Sequence, residues 1–274
     1  MSTLTVARKE FEDAIRSRAL MVVATLFAAV LAMVVYYQLY MASSARLAAI
    51  RDPARVASEI TAGVSILVPV LGTMLGYKAI VGERESGSLK LLLTLPHTRW
   101  DVVLGKFLGR SAVVVLSVLI GFALVGVQFA ASSELFSLSV YAMAAVKMAI
   151  VGVTFVAIAI AFSTAMRTSM MAMWGAIGLT LLFVFLWDSV LTLTKSFVER
   201  TPENSTVGPV SELPDWYYLI KRLNPRNAFK DVTPFGVEPN TFYLEPWFAV
   251  VIIGVWLVLP LGLAYVRFER SDLA

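Results

Sequence analysis

The chain offers few side chains with which to do chemistry. It contains no cysteine and one histidine, His97. Disulfides, thiolate metal sites and cysteine nucleophiles are therefore excluded, and so is a multi-histidine metal centre. Two ionisable groups stand out by position, Lys147 and Asp188, each set deep in a long apolar run. A protease or lipid transferase working in such surroundings needs paired acids, histidines or metal ligands, and one acid does not make a pair. Gly82 and Gly87, with Ser88 following, imitate the glycine spacing of a phosphate loop. The lysine that should precede the serine is missing, and Glu83 and Glu85 would repel phosphate, so that motif is rejected. The expectation is a chain with no catalytic residue, no metal and no bound cofactor of its own.

The elements that must position these groups are unusually apolar. Of 274 residues, 58% are hydrophobic and 15% charged, with a mean hydropathy of +0.78. A soluble domain carries about a quarter charged residues. A helix crosses a hydrocarbon core ~30 Å thick with about 20 residues, and in lipid the backbone must satisfy its own hydrogen bonds. Uncharged or nearly uncharged runs place six helical spans at about 19–42, 60–82, 107–133, 138–165, 169–194 and 246–267. The first is too long for a cleaved signal, whose apolar core is about 7–15 residues, and polar-rich residues precede it. The fold class expected is an all-α membrane protein.

Basic residues orient it. Arg8, Lys9, Arg16 and Arg18 precede the first span; Arg84, Lys90, Arg99 and Lys106 lie between spans two and three; Arg167, Arg267 and Arg270 fall on the same side. The opposite side has Arg46, Arg51 and Arg55 in its first loop, and its long loop at 196–245 is mixed in sign. The bias puts both termini in the cytoplasm of a cell membrane, and it accounts for the net charge of +4 without a nucleic-acid partner. Residues 1–18 read as an amphipathic helix in the headgroup plane, with Leu4, Ala7, Phe11, Ala14 and Ile15 on one stripe.

Within the spans, charges are costly and tend to pair or face a cavity. Lys147 and Asp188 are expected to lie close together, inside the bundle or at the seam between two paired copies, the alternative being that each snorkels outward separately. Lys78 is expected to reach the cytoplasmic headgroups. Pro69, Gly72 and Gly76 predict a bend and a smooth packing face in span two, with a gate as the sharper reading; Gly175 and Gly178 suggest a second helix contact. Ser65, Thr73 and Thr180 are the other polar groups in spans two and five. In the long outer loop, Trp216, Tyr217 and Tyr218 beside Lys221 and Arg222 predict an interfacial helix, or a place where an external partner docks.

The loop at 83–106 is the most distinctive part of the sequence. Ser86 or Ser88 can cap a short helix carrying Leu89, Leu92 and Leu93, which Pro96 ends. Thr98 and Asp101 then have the spacing of a capping box before a helix that runs through Gly105 and Lys106 into span three. This elbow is too apolar to stand in water alone.

These residues resemble the permease subunits of ABC-2-type transporters. The likeness rests on Glu83-Arg84-Glu85-Ser86-Gly87-Ser88-Leu89, the run Leu91-Leu92-Leu93, Pro96 and Gly105-Lys106, with the opening Ala7-Arg8-Lys9-Glu10. Within the family the chain looks most like the permease of nitrous-oxide reductase maturation, partly from Leu223-Asn224-Pro225. The resemblance implies two permease copies, in a homodimer, and a separate ABC ATP-binding subunit that holds ATP and magnesium. It implies an ATPase-coupling elbow in which Leu89, Leu92 and Leu93 are buried anchors and Glu83, Arg84 and Glu85 are rim charges, with Gly87, Ser88 and Pro96 shaping the turn. An alternative is a non-transporting subunit that passes ATP-driven motion to an extracytoplasmic partner, as in metalloenzyme maturation.

Overall fold

The computed structural model describes residues 3–36, 65–88, 98–132, 137–198, 215–229 and 242–270. Their elements are α1 (Thr3–Arg16), α2 (Arg18–Tyr36), α3 (Leu67–Gly76), α4 (Val81–Ser86), α5 (Arg99–Ser132) and α6 (Leu138–Ala165). A π-helical segment (Leu182–Leu186) joins α7 (Ser169–Leu181) to α8 (Trp187–Val198), and α9 (Asp215–Leu223), a 3-10 turn (Phe242–Leu244) and α10 (Pro246–Glu269) complete the order. Among the described residues four helical stretches are long and apolar enough to cross a membrane: Arg99–Leu124, Leu138–Ala165, Ser169–Thr194 and Pro246–Glu269.

The hub is α6. It is 67% buried over its most apolar stretch, against 28–39% for the other three, so it is the helix the others surround. Helices α3, α5, α7 and α10 all pack on it. With little hydrophobic drive between helices in lipid, close approach depends on small residues. A Cβ on Gly72 would lie 2.4 Å from the Gly152 carbonyl oxygen, and one on Gly76 would lie 2.5 Å from the Ala159 Cβ. The smooth face predicted for span two is therefore present and is filled by α6. Gly175 likewise abuts the Phe162 ring, but Gly178 meets nothing within 4 Å and makes no such contact.

Span two is not one continuous helix. Its interruption falls at residues 77–80, after Gly76, whereas Pro69 sits in the first turn of α3, where a missing N–H costs nothing. The break exposes backbone donors, and α6 satisfies them: Ser163 Oγ accepts from the Ile80 and Val81 N–H groups at 2.9 and 3.1 Å. Across the same face Thr73 and Thr180 share a buried hydroxyl–hydroxyl bond of 2.6 Å, tying α3 to α7.

Helix α1 runs as predicted, but its apolar stripe meets protein. Val6, Ala7, Glu10 and Ala14 are buried against α5, while Leu4 and Ile15 stay exposed. Gly105 and Gly109 make the seat: a Cβ on either would lie 2.5 Å from Val6 Cβ or the Ala7 oxygen. Among the buried four is a carboxylate, which the amphipathic reading had no place for.

Candidate functional site

The buried carboxylate is half of a charge cluster. Lys106, wholly buried on α5, reaches Glu10 of α1 at 2.5 Å and Glu83 of α4 at 2.7 Å. Arg110, one turn on, bonds the other Glu10 oxygen at 3.1 Å and donates to the Leu75 carbonyl of α3. Two acids meet two bases, so the cluster is neutral overall, as a buried set must be to be tolerated. Burial pushes Glu10 up, but the Lys106 and Arg110 charges and hydrogen bonds outweigh it and hold its carboxyl below the usual range.

The next two residues of the acidic motif are also used within the chain. Arg84 donates to the Met166 carbonyl at the end of α6 (3.1 Å). Glu85 accepts from the Ser169 N–H (2.6 Å) and from its hydroxyl, at the start of α7. The Ser169 hydroxyl and N–H keep the Glu85 carboxyl below the ordinary range, and the acid sits where the helix dipole favours it. Thus Glu83, Arg84 and Glu85 join α4 to α5, α6 and α7 in turn, which is more than the rim role expected of them.

Gly87 ends α4 with φ +75°, a left-handed turn that a side chain disfavours. Glu85, Ser86, Gly87 and Ser88 are all exposed, with the two serine hydroxyls 2.8 Å apart. Leu89, Leu92, Leu93 and Pro96 lie outside the described residues. The chain re-enters at Thr98, whose N–H and hydroxyl bond Asp101 at 3.1 and 2.6 Å while Asp101 N–H returns to the hydroxyl at 3.1 Å. The predicted capping box is therefore formed. Arg99 beside it donates to the Phe268 and Glu269 carbonyls and lies over the Phe268 ring, closing the end of α10.

The opposite end of the bundle holds a second cluster, around Asp188. Asp188 is bonded by Asn227 at 2.7 Å and Arg226 at 3.3 Å, from the loop after α9; Lys147 is not among its partners. Arg226 also donates to the Ser65 hydroxyl at 3.0 Å and the Val184 carbonyl at 2.9 Å. Asn224 donates to the Phe183 carbonyl at 2.7 Å. Residues 183 and 184 belong to the π-helical segment, where the shifted i→i+5 pattern frees carbonyls for other donors. The aromatic helix predicted around Trp216 exists as α9, yet Tyr217, Tyr218 and Arg222 are buried, with Arg222 bonded to the Tyr243 carbonyl. One face of it is packed on the protein, while Trp216 stays exposed.

Of the candidate residues, then, Glu83, Arg84 and Glu85 stand on one short helix with Gly87 and Ser88 directly after it; Gly72 and Gly76 line the α3–α6 contact, and Pro69 is buried in the first turn of α3; Asp188 is held by Arg226 and Asn227. Sequence reasoning missed Arg110, Ser163 and Arg226, and saw Glu10 and Lys106 only as parts of motifs. Among the described residues no group of acids and histidines could hold a metal.

Comparison with known proteins gives these clusters their setting. The family described as ABC-2 family transporter protein matches residues 4–273. A probable ABC transporter permease protein NosY of Stutzerimonas stutzeri is 32% identical, over 97% of each chain. A probable ABC transporter permease protein NosY of Pseudomonas aeruginosa is 41% identical over 43% of this chain and 42% of its own. The acidic motif, the capping box and the helix they introduce all lie inside the matched region, and the chain belongs to the ABC-2 transporter family as a multi-pass membrane permease.

Proposed function

We propose that this chain couples ATP hydrolysis by a separate ABC ATP-binding subunit, which carries ATP and magnesium, to transport across the cell membrane. It does so as one of two identical copies, with six spans and both termini in the cytoplasm. The segment 83–106 is the coupling element, its leucines at 89, 92 and 93 seated on the ATPase. The observation that supports this reading is the Glu10–Lys106–Glu83 cluster. It fixes the start of the segment to α5 and α1, so that a push on the exposed residues 85–88 moves three helices together instead of bending a loop.

The test is co-purification of the tagged chain in mild detergent, with ATPase activity assayed in the eluate. Leu92→Asp should lose the ATP-binding subunit while the permease itself elutes as before. A wild-type chain that purifies folded, alone and without ATPase under conditions that preserve complexes would refute the coupling role.

A second reading has its own support. The outer loop is bonded to span two through Ser65 and to span five through Asp188, so ATP-driven motion can reach an extracytoplasmic partner without any translocated substrate. Pull-down with the 196–245 loop side as bait distinguishes the two: a partner whose binding depends on Arg226, with no substrate-stimulated ATPase, favours it.

A further inference from the structure

A groove of about 390 Å³ runs between α6, α7 and α10. Its wall is almost wholly apolar, with Phe162, Ala165 and Met166 on one side and Leu259 and Leu263 on the other. Trp256 closes one end and holds its place through an indole bond of 2.9 Å to the Leu223 carbonyl. Arg267 closes the other. From 256 to 267 is eleven residues, about 16 Å at ~1.5 Å each, which is half of a ~30 Å hydrocarbon core. The groove therefore has the depth of one leaflet, and its single charged wall is at headgroup level.

A second cation stands at that level. Arg84 bonds the carbonyl of Met166, itself a groove residue, with one guanidinium nitrogen. Its other terminal nitrogen, Nη2, is buried and has no hydrogen-bond partner. Burial first, and then the Arg267 charge, hold the Arg84 guanidinium below the usual arginine range, so the two cations bear on each other. Among the described residues neither forms an ion pair. A guanidinium in the groove wall and a second one bonded to a groove residue, with a donor left unused, fit an anion with several acceptor oxygens.

We infer that this groove is a binding site for one acidic phospholipid, its acyl chain along α6 and α10 and its phosphate between Arg84 and Arg267. In the orientation proposed above the lipid belongs to the cytoplasmic leaflet. Only that orientation is taken from the proposed function, and the lipid is measured on the permease without its ATPase, so either reading can fail alone. The site ties lipid to Arg84, the residue that joins the coupling segment to α6.

The test is native mass spectrometry of the full chain in detergent, titrated with phosphatidylglycerol or with phosphatidylcholine of the same acyl chains. The wild type should retain one phosphatidylglycerol at least tenfold better than phosphatidylcholine. Arg267→Gln should lose that preference, and Leu263→Trp, which fills the groove and leaves both arginines, should lose the bound lipid. Far-UV circular dichroism and elution volume show that both variants fold. Equal retention of the two lipids, or unchanged retention in both variants, would mean ordinary annular lipid and overturn the inference. So would inorganic phosphate competing fully at equal concentration, since the acyl chain would then contribute nothing. The chain has no cysteine, so Leu263→Cys gives a unique thiol. Disulfide formation between two copies through that thiol would assign the groove to a partner helix instead.

Discussion

Removing the Lys106 ammonium while keeping its bulk, as in Lys106→Met, tests the cluster most directly. Lys106 is wholly buried, and its two acids are 8% and 20% exposed. Taking one partner from a buried pair costs about 3–5 kcal/mol, because the remaining charge is left without compensation. Arg110 still serves Glu10, so the lower end, about 3 kcal/mol, is expected. For a chain of this size that is roughly 6–12 °C in apparent melting temperature, read by fluorescence-detected size exclusion after heating. Lys106→Met with Glu83→Gln should recover part of the loss, because the orphaned charge goes with its partner. Arg8→Gln, which breaks only the solvent-exposed Arg8–Glu12 pair, should show no measurable change. If Lys106→Met melted within 2 °C of the wild type, the cluster would not be holding α1, α4 and α5 together.

Acid should weaken the same cluster. The Glu10 carboxyl titrates lower when folded than its unfolded value near ~4.3, so its contribution is full above that value and disappears as the pH falls through the folded one. Melting temperature should hold from pH 7 to about 5 and drop below about 4, and Glu10→Gln should make the descent shallower. Packing predicts a contrast between two glycines: Gly72→Ala, whose Cβ meets a backbone oxygen at 2.4 Å, should cost about 1–3 kcal/mol. Gly178→Ala, with open space around it, should be neutral or gain about 0.5 kcal/mol, both measured by the same melting assay. At the opposite end Arg226→Gln should destabilise by about 2 kcal/mol through lost charged hydrogen bonds, whereas Lys147→Gln should leave stability within about 0.5 kcal/mol. A larger effect at Lys147 than at Arg226 in that assay would restore the pairing first expected from sequence.

What could be read in the sequence was what is encoded at short range. Thr98 and Asp101 are three residues apart, and their capping box formed as expected. Gly72 and Gly76 announce a smooth helix face because four residues make one turn, although which helix fills it, α6, is not written there. The missed features are those that join distant segments. Glu10 and Lys106 are 96 positions apart, and in the N-terminal pattern Glu10 looks like one more polar residue on the solvated side. Asp188 was recognised as costly, but its partner was sought among the charges inside other spans. The loop that supplies it lies 38 residues on, with nothing at short range to show where it docks. The π segment has no local signature in Leu182–Leu186, an ordinary apolar run; its shape is tied to the donors of Asn224 and Arg226 that arrive from outside.

The two clusters acquire a common meaning from span two. Residues 65–86 cover about 30 Å at ~1.5 Å each if helical, from one cluster to the other. One end is held at Ser65 by Arg226, the other at Glu83 by Lys106, and the broken turn between α3 and α4 is held at Ile80 and Val81 by Ser163. Between them Gly72 and Gly76 lie against α6 with no slack for a methyl group. A rod pinned at both ends and packed this tightly does not absorb a displacement by bending, since well-packed interiors transmit strain. In the proposed coupling role a force applied beside Gly87 would reach Arg226 and Asp188, on the far side, through α4 and α3 in turn. The turn at 77–80 is the weak point, because its two N–H groups depend on a single hydroxyl. Ser163→Ala should leave them unsatisfied at about 1–3 kcal/mol and uncouple the ends. The Glu83→Gln and Arg226→Gln variants would then act independently on stability, where in the wild type they should be non-additive.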